Sequence, residues 1–392
     1  MNTVKKIKLI INKTNKETFD FWLRKCRILY NVCLDERKFY YQATGKNLNM
    51  YDQKKELVDI KDLDKTWGDV PNKALQEIVF RVNKSFQRFF EGAGYPKYKN
   101  DDTFKSIVLT RGDVKVKNGL AYLPKIKNGI RGVEEFPTEF SSVKLVKGNG
   151  YYFLNFTCST NPITNLNLND GIVGIDLGLS SLMTDSNGYV VKRFPIKLIK
   201  KYGKRIAELN QSLSTKKKGS RARNKVKKQL NKAHTRLKNS RTDYLQKQST
   251  KYIKQLKEDI IIVGDLKVKK LMKSNKSKKQ RNFSRAYSNA SISLFKTMLE
   301  YKIKWSGKIF DEEDEAYTSK TCSCCGTVKH DLKVKDRVYN CNNCDLSIPR
   351  DENGAINIKK KYLGIFNPIG VKLNKEKVPN LLGHNCSVRA AT

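Results

Sequence analysis

The sequence predicts an α+β multidomain protein, with an N-terminal β domain that carries inserted helices and a larger mixed α/β domain after it. The opening VKKIKLII alternates as a strand does, helical periodicity extends from Lys16 to Phe90, and short β segments run from Phe104 to Thr160. Because one strand precedes the helices and the others follow them, we expect the helices to be inserted into a small barrel or curved sheet.

Two local signals support this first half. Residues at helical spacing, including Trp22, Cys26 and Cys33, predict one buried helix face on which both cysteines are core residues. The KGNG at 147–150 lies between two alternating segments and predicts a tight hairpin turn.

The second half has the element order of a mixed α/β domain. GIVGIDLGLSSLMTDSNG predicts a strand that contains Asp176, a turn at Gly178 and a second strand. Basic helices, the apolar run IIIVGDL, a long helix and RDENGAINI follow. We expect this domain to be the larger one, joined to the first by a linker at 161–170.

The charge of the chain indicates a polyanionic partner. Its 392 residues hold 79 Lys and Arg against 38 Asp and Glu, a formal net charge of +41. The segment 197–238 contains sixteen basic residues and one acid, Glu208, with apolar residues at helical spacing, and this predicts a basic helical hairpin. A generally basic surface is the alternative. The candidate nucleic-acid-binding residues are Lys200, Lys201, Lys204, Arg205, Lys216, Lys217, Lys218, Arg221, Arg223, Lys227 and Lys228. A second basic run at 269–281 predicts a loop that orders on nucleic acid.

Nothing in the sequence predicts a membrane protein. No window reaches about eighteen consecutive apolar residues, and the N-terminus alternates charged and apolar residues instead of forming a signal-peptide core. We therefore expect a cytoplasmic, nucleoid-associated protein without a membrane partner.

The cysteine spacing predicts a zinc ribbon. Cys322-x-x-Cys325 and Cys341-x-x-Cys344 are separated by fifteen residues, and each pair can supply two thiolates to one tetrahedral zinc. Cys324 is the spare cysteine. Four thiolates leave no open coordination position, so we expect a structural ion.

Asp176 and Asp351 are candidate ligands of Mg²⁺, although two aspartates alone are weak evidence for a site that needs three or four carboxylates. The order of motifs resembles the TnpB family of transposon-encoded RNA-guided nucleases, relatives of the type V CRISPR effectors. The motifs that carry the resemblance are VPNKALQ, GYPKYK, GIDLG, NSRTDYLQKQS before IIIVGDLKV, LEYKIKWSG, YTSKTCSCCG with NCNNC, and RDENGAINI.

The resemblance implies a RuvC-like nuclease domain with an RNase H fold and an Asp, Glu, Asp active site. Asp176 matches the first position, Asp351 the third, and Gly264 falls where the family has the glutamate. Asp265 should point away from the face of Gly264, and Glu258 lies too far back along the strand. The alternative is that the match to the family motif is shifted by one residue, so that Gly264 does not occupy the glutamate position. We therefore expect Mg²⁺ binding to be weakened.

The implied domains are a wedge β domain (1–14 and 101–165), a helical recognition domain (15–100), a RuvC-like domain (166–315 and 350–392) and a zinc ribbon (316–349). The implied partners are a guide RNA and a double-stranded DNA target next to a short motif, with the target sequence read by base pairing.

Three functions remain open from the sequence. The favoured hypothesis is a nuclease-dead protein that binds DNA under RNA guidance and represses transcription by occupying its target. An active RNA-guided endonuclease, or an engineered chain with an inactivating Glu-to-Gly change, is the second hypothesis. A guide-free structural binder of nucleic acid is the third.

Overall fold

The computed structural model describes residues 2–159, 171–266, 291–333 and 335–369. The predicted linker at 161–170 and the second basic run at 269–281 lie outside these residues, as does the chain after residue 369. The chain divides into two compact units, Met1–Asn161 and Pro162–Thr392. The finer domain boundaries within these units stay predictions.

The first unit contains a curled sheet of seven strands. They are β1 (Asn2–Ile10), β2 (Ser106–Thr110), β3 (Lys115–Lys117), β4 (Leu120–Tyr122), β5 (Ile130–Gly132), β6 (Ser142–Gly148) and β7 (Tyr151–Ser159). Their spatial order is β2-β6-β7-β1-β5-β4-β3. The first strand of the chain therefore lies in the middle of a sheet whose other strands all come after residue 105.

Four α-helices separate β1 from β2 along the chain: α1 (Lys13–Thr44), α2 (Met50–Lys55), α3 (Leu57–Leu63) and α4 (Asn72–Phe90). The side chain of Asn12 caps α1 by accepting a hydrogen bond from the Asn15 N–H at 2.8 Å. Cys26 and Cys33 are buried on the core face of α1, which confirms the prediction that they are core residues.

The predicted KGNG turn is confirmed. Gly148 pairs with Tyr151 across the β6–β7 hairpin, and the two residues between them, Asn149 and Gly150, have φ values of 52° and 84°. Two successive residues with positive φ define the turn type that fits the twist of a two-residue hairpin, and asparagine and glycine tolerate it best.

The second unit contains a five-stranded sheet and a small hairpin. The strands are β8 (Ile172–Asp176), β9 (Met183–Asp185), β10 (Val190–Val191), β11 (Ile260–Gly264) and β12 (Ile309–Glu313), with β13 (Val338–Asn340) and β14 (Ser347–Pro349) forming the hairpin. The sheet order is β10-β9-β8-β11-β12. β11 runs parallel to both neighbours. Its continuous apolar run is typical of a parallel strand covered on both faces.

Among the described residues of this unit, four α-helices accompany the sheet: α5 (Ile196–Ser214), α6 (Arg221–Gln255), α7 (Ile292–Trp305) and α8 (Arg350–Tyr362). The basic helical hairpin is confirmed, since α5 and α6 pack through Leu209, Val226 and Ala233. Helix α8 lies close to β8, where a Cβ at Gly174 would be 2.8 Å from the backbone nitrogen of Lys359. No helix in the described part of the chain is long and apolar enough to cross a membrane.

Candidate functional site

Asp176 and Gly264 end two neighbouring parallel strands. Ile175 of β8 lies opposite Val263 of β11, so the next residues, Asp176 and Gly264, meet at the carboxyl ends of the strands. In open α/β sheets this edge is where active sites form.

Asp351 reaches the same edge from helix α8, in whose first turn it lies. One Oδ of Asp351 accepts a hydrogen bond from Ser181 Oγ at 3.1 Å, and Ser181 belongs to the loop that follows β8. Three residues further along α8, a Cβ at Gly354 would lie 3.0 Å from Asp176 Oδ2. The structure therefore brings together the two aspartates that the sequence singled out.

The electrostatics of this edge favour bound cations. Burial raises the pKa of Asp176 well above its ordinary value, and the carboxylates of Glu315 and Asp351 raise it further, while Arg350 opposes them. Buried acids that raise one another's pKa become fully ionised only when positive charge compensates them.

Glu315 supplies a third carboxyl group that the sequence analysis did not single out. It follows β12 by two residues, and Gly264 lies opposite Glu313 where β11 pairs with β12. Glu315 Oε1 is buried and has no hydrogen-bond partner among the described residues. Burial, followed by the charge of Asp265, raises the pKa of Glu315 to about 7, partly opposed by Lys296.

The two carboxylates that the sequence analysis considered as substitutes lie elsewhere. Asp265 Oδ1 is 3.3 Å from Lys296 Nζ. Glu258 precedes β11, at the opposite end of the strand, and its Oε1 accepts a hydrogen bond from Asn187 Nδ2 at 2.7 Å. Neither residue replaces a glutamate at position 264.

Two sequence signals could have led to Glu315. The first is the run DEEDE at 311–315, five consecutive acids in a chain with a net charge of +41. The second is the pair Asn353 and Asn357, one helical turn apart in RDENGAINI. Both are buried and donate side-chain hydrogen bonds to the carbonyl of Thr321 at 2.8 and 2.7 Å. They hold the segment after Glu315 against α8.

The donors at this edge fit a hard divalent cation such as Mg²⁺. Carboxylate oxygens are its preferred protein ligands, and the cluster includes a buried oxygen, Glu315 Oε1, that no described residue satisfies. Asp176 and Asp351 are the residues that both the sequence and the geometry put forward as ligands.

The four predicted zinc ligands form a compact cluster. The Sγ atoms of Cys322, Cys325, Cys341 and Cys344 all lie within 4.8 Å of one another. The Cys322–Cys344 and Cys325–Cys341 Sγ distances are 3.5 and 3.6 Å. Tetrahedral zinc with bonds of about 2.3 Å separates its sulfurs by about 3.8 Å. Cys324 is exposed and lies outside the cluster. The donor set therefore fits a structural zinc.

The basic hairpin presents most of its predicted cations to solvent. All eleven predicted residues are exposed except Lys216 and Arg223, which are partly buried. Arg223 has a structural role, because its guanidinium donates to the carbonyls of Leu213 and Lys216 and so satisfies the end of α5. The guanidinium of Arg205 lies 3.2 Å from Glu208.

Two family models match parts of the chain. One, described as "Probable transposase", matches residues 155–275 and so includes Asp176 and Gly264. The other, described as "Cas12f1-like, TNB domain", matches residues 293–358, which include Glu315, the four clustered cysteines and Asp351.

Similar proteins extend the match over most of the chain. A "Putative RNA-guided DNA endonuclease" of Streptomyces pristinaespiralis is 28% identical over 342 residues, 85% of this chain and 82% of the relative. "TnpB-like protein L770" of Acanthamoeba polyphaga mimivirus is 24% identical over 391 residues, 91% of this chain and 72% of the relative. A solved structure of "the mini-RNA-guided endonuclease CRISPR-Cas_phi3" has the same fold with a TM-score of 0.52 at 10% identity, covering 91% of this chain and 92% of that one. The motifs, the family matches and these relatives together support the resemblance of this chain to the TnpB family.

Proposed function

We propose that this chain binds DNA under RNA guidance and cleaves it with divalent cations held at the carboxyl edge of β8 and β11. The observation that carries the proposal is the convergence of Asp176 and Asp351 at that edge. The name of the Streptomyces relative, an RNA-guided DNA endonuclease, supports the same activity.

The charge distribution supports nucleic acid as the partner. The exposed cations of α5 and α6 are suited to phosphate contacts, which are independent of sequence, so the guide would supply specificity through base pairing. The protein itself would read only a short duplex motif beside the target.

The residues at the edge have separate tasks in this chemistry. Asp176 and Asp351 would hold the cations, and Ser181 orients the Asp351 carboxylate by donating a hydrogen bond to it. The ions, when bound, activate water and stabilise charge on the scissile phosphate. Helix α8 keeps Asp351 beside β8 because Gly174 allows close packing.

A repressor without cleavage is the second candidate function, and Gly264 is the observation that favours it. A protein that has lost one carboxylate of a two-metal site would still bind its target and block transcription. This function predicts guided binding and no cleavage.

The test uses the full chain purified with its co-expressed guide RNA, reprogrammed to a labelled duplex, with Mg²⁺ present. Native gels measure guided binding and denaturing gels measure strand cleavage. We expect both with the unmodified chain, and binding without cleavage with Asp176→Asn, which keeps the shape of the side chain.

The outcomes separate the candidates. Guided binding without cleavage by the unmodified chain would overturn the endonuclease and support the repressor. Absence of any discrete co-purified RNA would overturn both and support a guide-free nucleic-acid binder.

A further inference from the structure

Gly264 does not owe its identity to backbone conformation. It lies within β11, and its φ is not in the left-handed region that favours glycine. The side chain of Glu315, which lies against this position, explains the glycine instead. A Cβ at this position would lie 2.7 Å from Cγ and 2.9 Å from Cδ of Glu315, and closer still to Oε1. A side chain at 264 would therefore force the Glu315 side chain to shift, since Glu315 occupies the space that it would need.

The Glu315 side chain lies at the strand end that carries Asp176, because it lies against Gly264, which is beside Asp176 where β11 pairs with β8. Its buried Oε1 has no hydrogen-bond partner among the described residues. Such an oxygen in a buried site is costly without a compensating charge or donor.

The loop that carries Glu315 is held in place from several sides. The Thr318 hydroxyl and N–H both donate to the Glu315 carbonyl, at 2.9 and 3.2 Å. Lys361 Nζ donates to the carbonyl of Asp314 at 2.9 Å, and Asn357 holds the Thr318 carbonyl at 2.8 Å. Because Lys361 and Asn357 belong to α8, the helix that carries Asp351 also positions Glu315.

We infer that Glu315 supplies the third carboxylate of the divalent-cation site formed with Asp176 and Asp351, in the space left by Gly264. The carboxylate has moved from the end of β11 to the loop after β12, and the glycine makes room for it. The inference deepens the proposed function and rests on it for the catalytic role of the site, but cation binding tests it independently.

The first test measures Mn²⁺ binding by calorimetry and by the rise in melting temperature, with the zinc-loaded full chain without nucleic acid. Mn²⁺ suits oxygen ligands and competes poorly for thiolates. We expect Glu315→Gln to weaken Mn²⁺ binding by at least about ten-fold. Losses of about ten- to a hundred-fold are typical even when the mutated residue only hydrogen-bonds to a metal ligand. The matched control is Glu313→Gln, which changes an acid two residues away on β12 and should leave binding unchanged.

Unchanged Mn²⁺ affinity in Glu315→Gln, or no measurable Mn²⁺ binding by the unmodified chain, would overturn the inference.

The second test returns the carboxylate to the position that the family resemblance implies. Gly264→Glu alone should fail to improve Mn²⁺ binding because the new side chain collides with Glu315. The double change Gly264→Glu with Glu315→Gly should bind Mn²⁺ at least about ten-fold more tightly than Glu315→Gly alone. Tighter binding by Gly264→Glu alone would contradict the inference, since it would mean that position 264 is open.

Failure of the proposed endonuclease and failure of the Glu315 inference give different results. If the unmodified chain binds Mn²⁺ through Glu315 but cuts no DNA, the proposed endonuclease fails and the inference stands. If the chain cuts guided DNA and Glu315→Gln cuts equally well with unchanged Mn²⁺ affinity, the endonuclease stands and the inference fails.

Discussion

The two ligand clusters of the second unit differ in how far apart their residues lie in the sequence. The four cysteines fall within 322–344, in two pairs of fixed spacing. The carboxylates come from the end of a strand at Asp176, a loop at Glu315 and a helix at Asp351. A local cluster can be recognised from spacing alone, whereas a cluster built from distant elements needs the fold.

The comparison also separates two uses of ligands. Paired thiolates around one ion leave no open coordination position and favour a structural role. Carboxylates at a sheet edge leave positions for water and phosphate oxygens, as metal-assisted hydrolysis requires. The predictions below test how independent the two clusters are.

The largest effect is expected from Cys341→Ala. Removing one thiolate should release zinc and unfold the ribbon, because a structural zinc supplies on the order of 10 kcal/mol to the folding of a small zinc domain. Zinc analysis measures the release of the ion, and the melting curve measures the loss of stability. The matched control is Cys324→Ala at the exposed fifth cysteine, which should retain about one zinc per chain. Equal zinc loss in both variants would contradict the ligand assignment.

Asp176→Asn should have the next largest effect, on chemistry but not on the ribbon. We expect guided cleavage to fall at least about a hundred-fold, the upper end of the range for outer partners of a metal. Guided binding and zinc content should be unchanged. Cleavage rates measured beside native-gel affinities check this, and a loss of zinc would show that the clusters are not separate.

Asn357→Ala should moderately lower both the stability of the fold and the affinity of the carboxylate cluster for Mn²⁺. It removes the donor to the Thr318 carbonyl, and a buried group left unsatisfied costs about 1–3 kcal/mol, whereas the Thr321 carbonyl keeps its hydrogen bond from Asn353. Denaturant unfolding measures the stability, and calorimetry should show weaker Mn²⁺ binding because the Glu315 loop loosens. The control is Asn342→Ala, at an exposed asparagine of the ribbon. Unchanged Mn²⁺ binding in Asn357→Ala would mean that α8 does not position Glu315.

The smallest effect is expected from Gly264→Ala. The added methyl group would lie 2.7 Å from Glu315 Cγ, so Glu315 must shift and Mn²⁺ affinity should fall by about ten-fold. Gly203→Ala in α5 is the control, since a Cβ there meets nothing within 4 Å. That control should stabilise the helix by about 1 kcal/mol and leave Mn²⁺ affinity unchanged. Equal affinities in both variants would indicate that Glu315 is free to move.

Local chemistry allowed several features to be predicted from the sequence. The KGNG turn, the basic hairpin and the apolar strand at 260–263 follow from short-range periodicity and turn residues. The cysteine cluster follows from spacing, because each pair is brought together by a few residues of chain. The assignment of Asp176 and Asp351 to one site depended on a family resemblance. From the sequence alone, Gly264 could be described only as a position where a carboxylate is absent.

The sequence by itself determined the two-part α+β organisation and the four thiolates that can hold zinc, and its charge predicted a polyanionic partner. Only the tertiary structure decided what stands beside Gly264. Parallel pairing of β11 with β12 brings Glu315 to a strand end 51 residues earlier in the chain, and helix α8 holds it there. No local pattern encodes such a contact, because it depends on the register of two strands that are distant in sequence and on a helix that follows both.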